Sequence, residues 1–242
     1  MNIVIDVGNT LVKFGVFDSG KLIFKETDSL TNYLPAIEGI AASYPKIDDA
    51  VLSVVGNFSS EYLSATEKYF KVFHITKDIL FPFTTNYKTP GTLGIDRMVL
   101  AASACFLHPN KNVLVIDTGT CITYDFINEK GSYEGGAISP GIRLRYQSLN
   151  DYTHKLPLLE TETPEDFIGK STKDSIHSGV INGVAYEIDG TIEQYTKNFK
   201  DLTVILTGGN ADFLRDKLKN SIFANSNFLL EGLNFLFEYN KV

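Results

Sequence analysis

The sequence predicts an α/β protein built from two copies of one unit, with a ligand cleft between the copies. Two observations carry this reading. An apolar run that ends in an acid and a glycine turn occurs twice, at Asp6 and Asp117, and an apolar strand breaking at Gly-Asn occurs once in each half. Asp117 follows Asp6 by 111 positions, close to half of the 242 residues, as a duplicated unit requires.

The elements follow in order. Ile3 to Ile5 read as a buried strand that ends on Asp6; Gly8, Asn9 and Thr10 turn the chain into a second apolar run at Leu11. "LIFKET", from Leu22, is a third strand after the "DSGK" turn. "AVLSVVGN", from Ala50, is an apolar strand that leads into the helical pattern "SSEYLSATEKYF". "TPGTLGIDRMVLAASACFL", Thr89 to Leu107, opens on turn residues and continues as a helix apolar on nearly every side, which puts Asp96 and Arg97 in its first turn. Pro and Asn in "LHPNKN" then interrupt the helical period, so the two domains are expected over 1–108 and 109–242. The second copy begins "VLVIDTGTCITYDFI" at Val113, where Asp117 answers Asp6 and Gly119 answers Gly8, and "SYEGGAI" is its third strand. Ile176, Val180, Val184, Ile188 and Ile192, spaced by four, predict a long amphipathic helix with Thr172 as its natural N-cap. Gly179 and Gly183 share a face of that helix and suit close approach, within the subunit or across a homodimer interface. "TVILTGGN", from Thr203, matches the strand at Ala50, and "ADFLRDKLKN" matches the helix after it. The terminal "LNFLFEYN" can cross back to either half, including onto the first domain.

With 43% apolar residues the chain supports a sizeable core. A net charge of −7, with Lys and Arg clustered no further than pairs, argues against nucleic acid as a partner. No apolar run approaches the roughly 20 residues that span a bilayer, and no secretory leader is recognisable, so the expected location is the cytoplasm, with no membrane partner. Cys105 and Cys121 lack metal spacing and are expected in buried packing. His74, His108 and His154 lack it too, and His177 reads as a structural residue of its helix.

An acid at the end of a central strand, followed by a glycine turn, places a carboxylate beside free backbone N–H groups. That pairing suits a metal-bound phosphate, because carboxylates hold Mg²⁺ and glycine lets the backbone approach phosphate oxygens. Thr10 and Thr120 add hydroxyls and Lys13 a cation. The alternative is a plain hairpin turn, which the second copy disfavours. "GKS" at Gly169 to Ser171 is not a Walker A loop, because the position that needs the first glycine is Pro164. Asp96 with Arg97 offers a base for a hydroxyl and a fork for a carboxylate, although the helix dipole alone also favours an acid there.

"DVGNT", "TPGTLGIDR", "DTGTCITYD" with "GGAISPGI", and "GKSTKDSIHSG" occur in the order and spacing of the type III pantothenate kinases, which the chain resembles over essentially its whole length. The resemblance implies two duplicated ribonuclease H-like (actin-like ATPase) domains and ATP-dependent phosphorylation of pantothenate on its terminal hydroxyl, the first step of coenzyme A synthesis. By the same resemblance Asp6, Val7, Gly8, Asn9, Thr10, Leu11, Val12 and Lys13 form the ATP phosphate loop, with Asp6 near Mg²⁺, and Thr120 is a further ATP contact. Asp96 looks like the general base; Gly94, Ile95, Asp96 and Arg97, with Tyr87 and Thr172, look like the pantothenate contacts. Asp117 matches the ligand of a monovalent cation, K⁺ or NH₄⁺. The family's homodimers close the site partly with the second subunit. Cys121 departs from the alanine usual after "GT" in this family. Two other readings of the fold are a kinase or phosphatase for a different small molecule and a nucleotide-binding regulator; the intact Asp96 argues against the latter.

Overall fold

A computed structural model describes residues 1–241. The chain divides into two compact units, Met1–Leu107 together with the segment from Asn227 onward, and His108–Ser226.

The first unit opens with the predicted meander: β1 (Asn2–Val7), β2 (Val12–Asp18) and β3 (Lys21–Asp28) pair antiparallel in sequence. α1 (Tyr33–Ser43) then crosses to β4 (Asp49–Val54), which lies parallel to β1, and α2 (Ser60–Glu67) crosses to β5 (Lys71–His74). The sheet order is β3-β2-β1-β4-β5. α2 starts where Ser59 accepts the Tyr62 N–H, satisfying one donor of the open helix end. A short strand, β6 (Thr84–Thr85), precedes α3 (Ile95–Leu107). Alternation along β1 sorts its side chains: Ile3, Ile5 and Val7 join Tyr33, Ile37 and Ile40 of α1 in one core. Asn2, Val4 and Asp6 therefore face the other side of the sheet.

The second unit repeats this order. β7 (Val113–Thr118), β8 (Cys121–Ile127) and β9 (Ser132–Pro140) form the meander. After α4 (Ile142–Asp151), α5 (Thr172–His177) and α6 (Gly183–Asn198), β10 (Thr203–Thr207) runs parallel to β7. α7 (Ala211–Arg215) leads to β11 (Phe223–Ala224), giving the order β11-β10-β7-β8-β9 within the unit. The expected long helix is α5 and α6 joined by a π turn at Ser178–Asn182, and Ile176, Val180, Val184, Ile188 and Ile192 are all buried as its period requires. Its cap differs from expectation. Ser171 accepts the Asp174 N–H at 3.1 Å, and Thr172 is the first helical residue. Gly179 and Gly183 have no atom within 4 Å of where a Cβ would stand, so neither serves a close helix approach within the unit.

The last helix, α8 (Phe228–Asn240), returns to the first unit, where it packs on α3 and on β1. Asn234 accepts a buried hydrogen bond from Asn2 at 2.8 Å, and Ser103 of α3 reaches the Phe228 carbonyl. α8 and α3 thus cover the sheet face that carries Asp6.

The cysteines depart from the expected burial. Cys121 is exposed, since β8 turns Ile122, Tyr124 and Phe126 into the core and Cys121 to the opposite face. Cys105 is half-buried, and desolvation pushes its thiol up to about 11.

Candidate active site

In the first unit the site begins where β1 runs out. Asp6, 5% exposed, stands opposite Lys13 across the hairpin, and the Lys13 ammonium lies 3.4 Å from its Oδ2. Gly8 N–H donates to the Leu11 carbonyl at 3.0 Å, closing a loop in which Asn9 and Thr10 are exposed. The end of β4 comes to the same place. Val55 N–H donates to the Val7 carbonyl at 2.9 Å, and a Cβ on Gly56 would stand 2.5 Å from the Gly8 carbonyl oxygen, so only glycine fits. The two Gly-Asn loops, at Gly8 and Gly56, line a cavity of about 210 Å³ together with Thr10 and Leu30. A hollow walled by glycine backbone beside a cation admits a phosphate without interference from side chains.

Asp96 lies in the first turn of α3, half-buried, and its Oδ1 accepts the Arg97 N–H at 2.9 Å. Gly94 supplies the room, since a Cβ there would collide with that oxygen. Arg97 is 6% exposed. Gly94 and Ile95 border a cavity of about 350 Å³ whose other walls include Val55, Lys77 and Thr92. Burial raises the Asp6 carboxyl above the ordinary carboxylate value; Lys13 opposes the shift, and the charge of Asp96 adds to it. Burial and Lys13 thus dominate the state of Asp6, and Asp96 is a minor contributor to it. Tyr87 is half-buried in the segment before α3, its N–H bonded to the Thr85 hydroxyl.

In the second unit Asp117 takes the place of Asp6 near the end of β7, and its register partner on β8 is Thr123. Gly119 N–H donates to the Cys121 carbonyl at 3.0 Å, which leaves Thr120 exposed at the hairpin tip. The loop after β10 closes on this hairpin, with Asn210 N–H and its side-chain amide both donating to the Thr118 carbonyl at 3.0 Å. Gly208 adopts φ +93°, and a Cβ there would strike Asp117 Oδ1. Thr172 is not part of this hairpin. It is exposed at the start of α5, on a separate cavity of about 640 Å³ with Arg145, Leu149 and Ile176 among its walls.

Sequence reasoning identified the two hairpins and Asp96 but passed over Gly56, Asn57, Gly208 and Asn210. The signal was present: each belongs to a Gly-Asn break, "VVGN" or "TGGN", that was read as the end of a strand. No group of three or more His, Cys, Asp or Glu side chains able to hold a metal exists among the described residues, so any divalent ion here relies on single carboxylates and on substrate oxygens.

The family model for type III pantothenate kinase matches residues 2–194. This chain belongs to that family. A type III pantothenate kinase of Flavobacterium johnsoniae is 49% identical over 239 residues, covering 99% of this chain and 98% of the relative. One from Flavobacterium psychrophilum is 49% identical over the full length of both. Among solved structures, a Campylobacter jejuni protein described as of a Baf family of transcriptional activators superposes with a TM-score of 0.63 at 23% identity, covering 98% of each chain. A ROK family glucokinase from Streptomyces griseus, in complex with glucose and AMPPNP, gives 0.52 at 11% identity, covering 97% of this chain and 98% of that one. At such identities the structures report fold alone, and that fold is the actin-like ATPase arrangement of two ribonuclease H-like domains. The kinase matches its relatives from end to end and, like them, transfers phosphate to the pantothenate hydroxyl.

Proposed function

We propose that in this kinase Asp96 takes the proton from the terminal hydroxyl of pantothenate as that oxygen attacks the γ-phosphate of ATP. The reaction is the first step of coenzyme A synthesis. The observation that carries the assignment is a shared wall: Val55, beside the Gly56 loop, lines both the hollow at Gly8 to Thr10 and the cavity that Gly94 and Ile95 border. Phosphoryl transfer requires an acceptor held in line with the γ-phosphate and neutralisation of the charge that spreads over its oxygens. The hairpin from Asp6 to Lys13 and the Gly56 loop line the phosphate hollow, the Lys13 ammonium adds charge, and the family resemblance assigns Thr120 of the second hairpin a contact with ATP. Gly94 to Arg97 and Tyr87 hold pantothenate; the assignment of Thr172 to the same substrate rests on family resemblance alone, since it lines a separate cavity.

Asp6 suits Mg²⁺. Burial and Asp96 both disfavour its ionised form, and a divalent cation alongside would relieve both. Bound there, Mg²⁺ supplies neutralising charge at the transferring phosphoryl group. Asp117 suits a monovalent cation, K⁺ or NH₄⁺, by family resemblance: it is a single carboxylate against which the Gly208 backbone packs too closely to admit a side chain. Family resemblance further supports a homodimer that works in the cytoplasm.

Asp96→Asn keeps the shape of the helix start and removes the base. The variant is expected to bind ATP and pantothenate by calorimetry while turnover falls about 10²- to 10⁴-fold. Turnover near the wild-type rate in the folded variant contradicts the role of Asp96.

A further inference from the structure

The two hairpins share a topology but differ in what faces the acid. Opposite Asp6 stands Lys13, which brings its own positive charge to 3.4 Å; opposite Asp117 stands Thr123, a neutral hydroxyl. Leu114, Ile116, Ile122, Tyr124 and Phe126 all point into the core of the second unit, so strand alternation puts Asp117, Thr123 and Asp125 together on the other face of the sheet. Directly opposed residues on one face lie within about 5 Å at Cβ.

Asp125 is the unexpected member of this row. It is fully buried, with 0% exposure, and the reaction as derived makes no use of it. Its Oδ2 accepts from the Thr123 hydroxyl at 2.9 Å, and its Oδ1 accepts from the hydroxyl of Tyr133, itself fully buried, at 2.8 Å. A threonine hydroxyl has one proton and two lone pairs. The proton of Thr123 is donated to Asp125, so the lone pairs of Oγ1 are directed away from that carboxyl. A hydroxyl oriented in this way next to a carboxylate is an oxygen ligand for a weakly hydrated cation, which exchanges its water shell for neutral oxygens.

We infer that Thr123 Oγ1 is a second oxygen ligand of the monovalent cation at Asp117 and that Asp125, braced by Tyr133, is the positioning residue that orients it. The inference rests on the reading of Asp117 as the cation ligand. It also accounts for the divergence of the repeats: the first hairpin carries a lysine where the second recruits a metal ion.

The test uses the full chain and two readouts, the thermal unfolding midpoint and the initial rate, each titrated with KCl while tetramethylammonium chloride holds ionic strength constant. Thr123→Val removes the oxygen at constant shape, and Thr123→Ser restores it. The valine variant is expected to need about tenfold or more K⁺ for half-maximal stabilisation and activation, with the serine variant close to wild type, and Asp125→Asn is expected to shift both in the same direction by about tenfold. A folded Thr123→Val protein with wild-type K⁺ dependence in both readouts overturns the ligand role. An unchanged dependence in Asp125→Asn overturns the positioning role, and that variant decides the matter should the valine protein not fold. A wild-type protein indifferent to K⁺ in both readouts removes the Asp117 reading and the inference with it.

Discussion

Asp6 illustrates how a single residue can lower stability while serving the reaction. Its folded carboxyl binds a proton more tightly than the unfolded chain does, because burial disfavours the charge. A raised folded value gives a contribution to stability that is complete below the unfolded value and is lost as the pH rises through the folded one. Ligand-free Asp6→Asn is therefore expected to melt higher than wild type at pH 8, with the gap closing below pH 4; in a chain of this size about 2–4 °C corresponds to one kcal/mol. The same variant is expected to lose its response to Mg²⁺ in turnover assays. A variant that melts lower than wild type at pH 8, or that titrates normally with Mg²⁺, contradicts this account of Asp6.

At the scale of elements, the hairpins depend on loops brought in from other strands. Gly56, after β4, touches the Gly8 carbonyl, and an added methyl has only backbone to push against. Gly56→Ala is expected to cost about 1–3 kcal/mol in denaturant unfolding and to weaken ATP binding by displacing the first hairpin. Gly39→Ala is the matching control, since nothing lies within 4 Å of that position on α1; it should be neutral or stabilising by up to about 1 kcal/mol. Equal effects at the two sites would mean that the Gly56 contact does not matter. These contacts also show where sequence reading stops. Apolar runs broken by turn residues made the six meander strands legible and located both acids. The meeting of Gly56 with Gly8, and of Gly208 with Asp117, depends on how β4 and β10 pair beside their meanders, which neither local period nor spacing reveals. Cys121 was misjudged for a related reason: treated as apolar, it was assigned to the core, whereas the alternation set by Ile122 and Tyr124 turns it outward.

At the scale of the whole molecule, duplication supplies a common frame that the two copies use differently. Each unit places an acid near the end of the strand between its meander and its parallel crossover. The first copy adds Lys13 and the Asp96 helix; the second adds Thr123, Asp125 and the Gly208 loop. The repeat was readable because both copies keep the acid and the glycine, and the return of α8 to the first unit was left open because "LNFLFEYN" carries apolar residues without a signature of their partner. No described helix is long and apolar enough to cross a membrane. The central claim is that ATP is spent on pantothenate, and ADP release from ATP and Mg²⁺, with and without pantothenate, tests it most directly. The account predicts release that requires pantothenate; release at the same rate without it would contradict the account and leave only the fold.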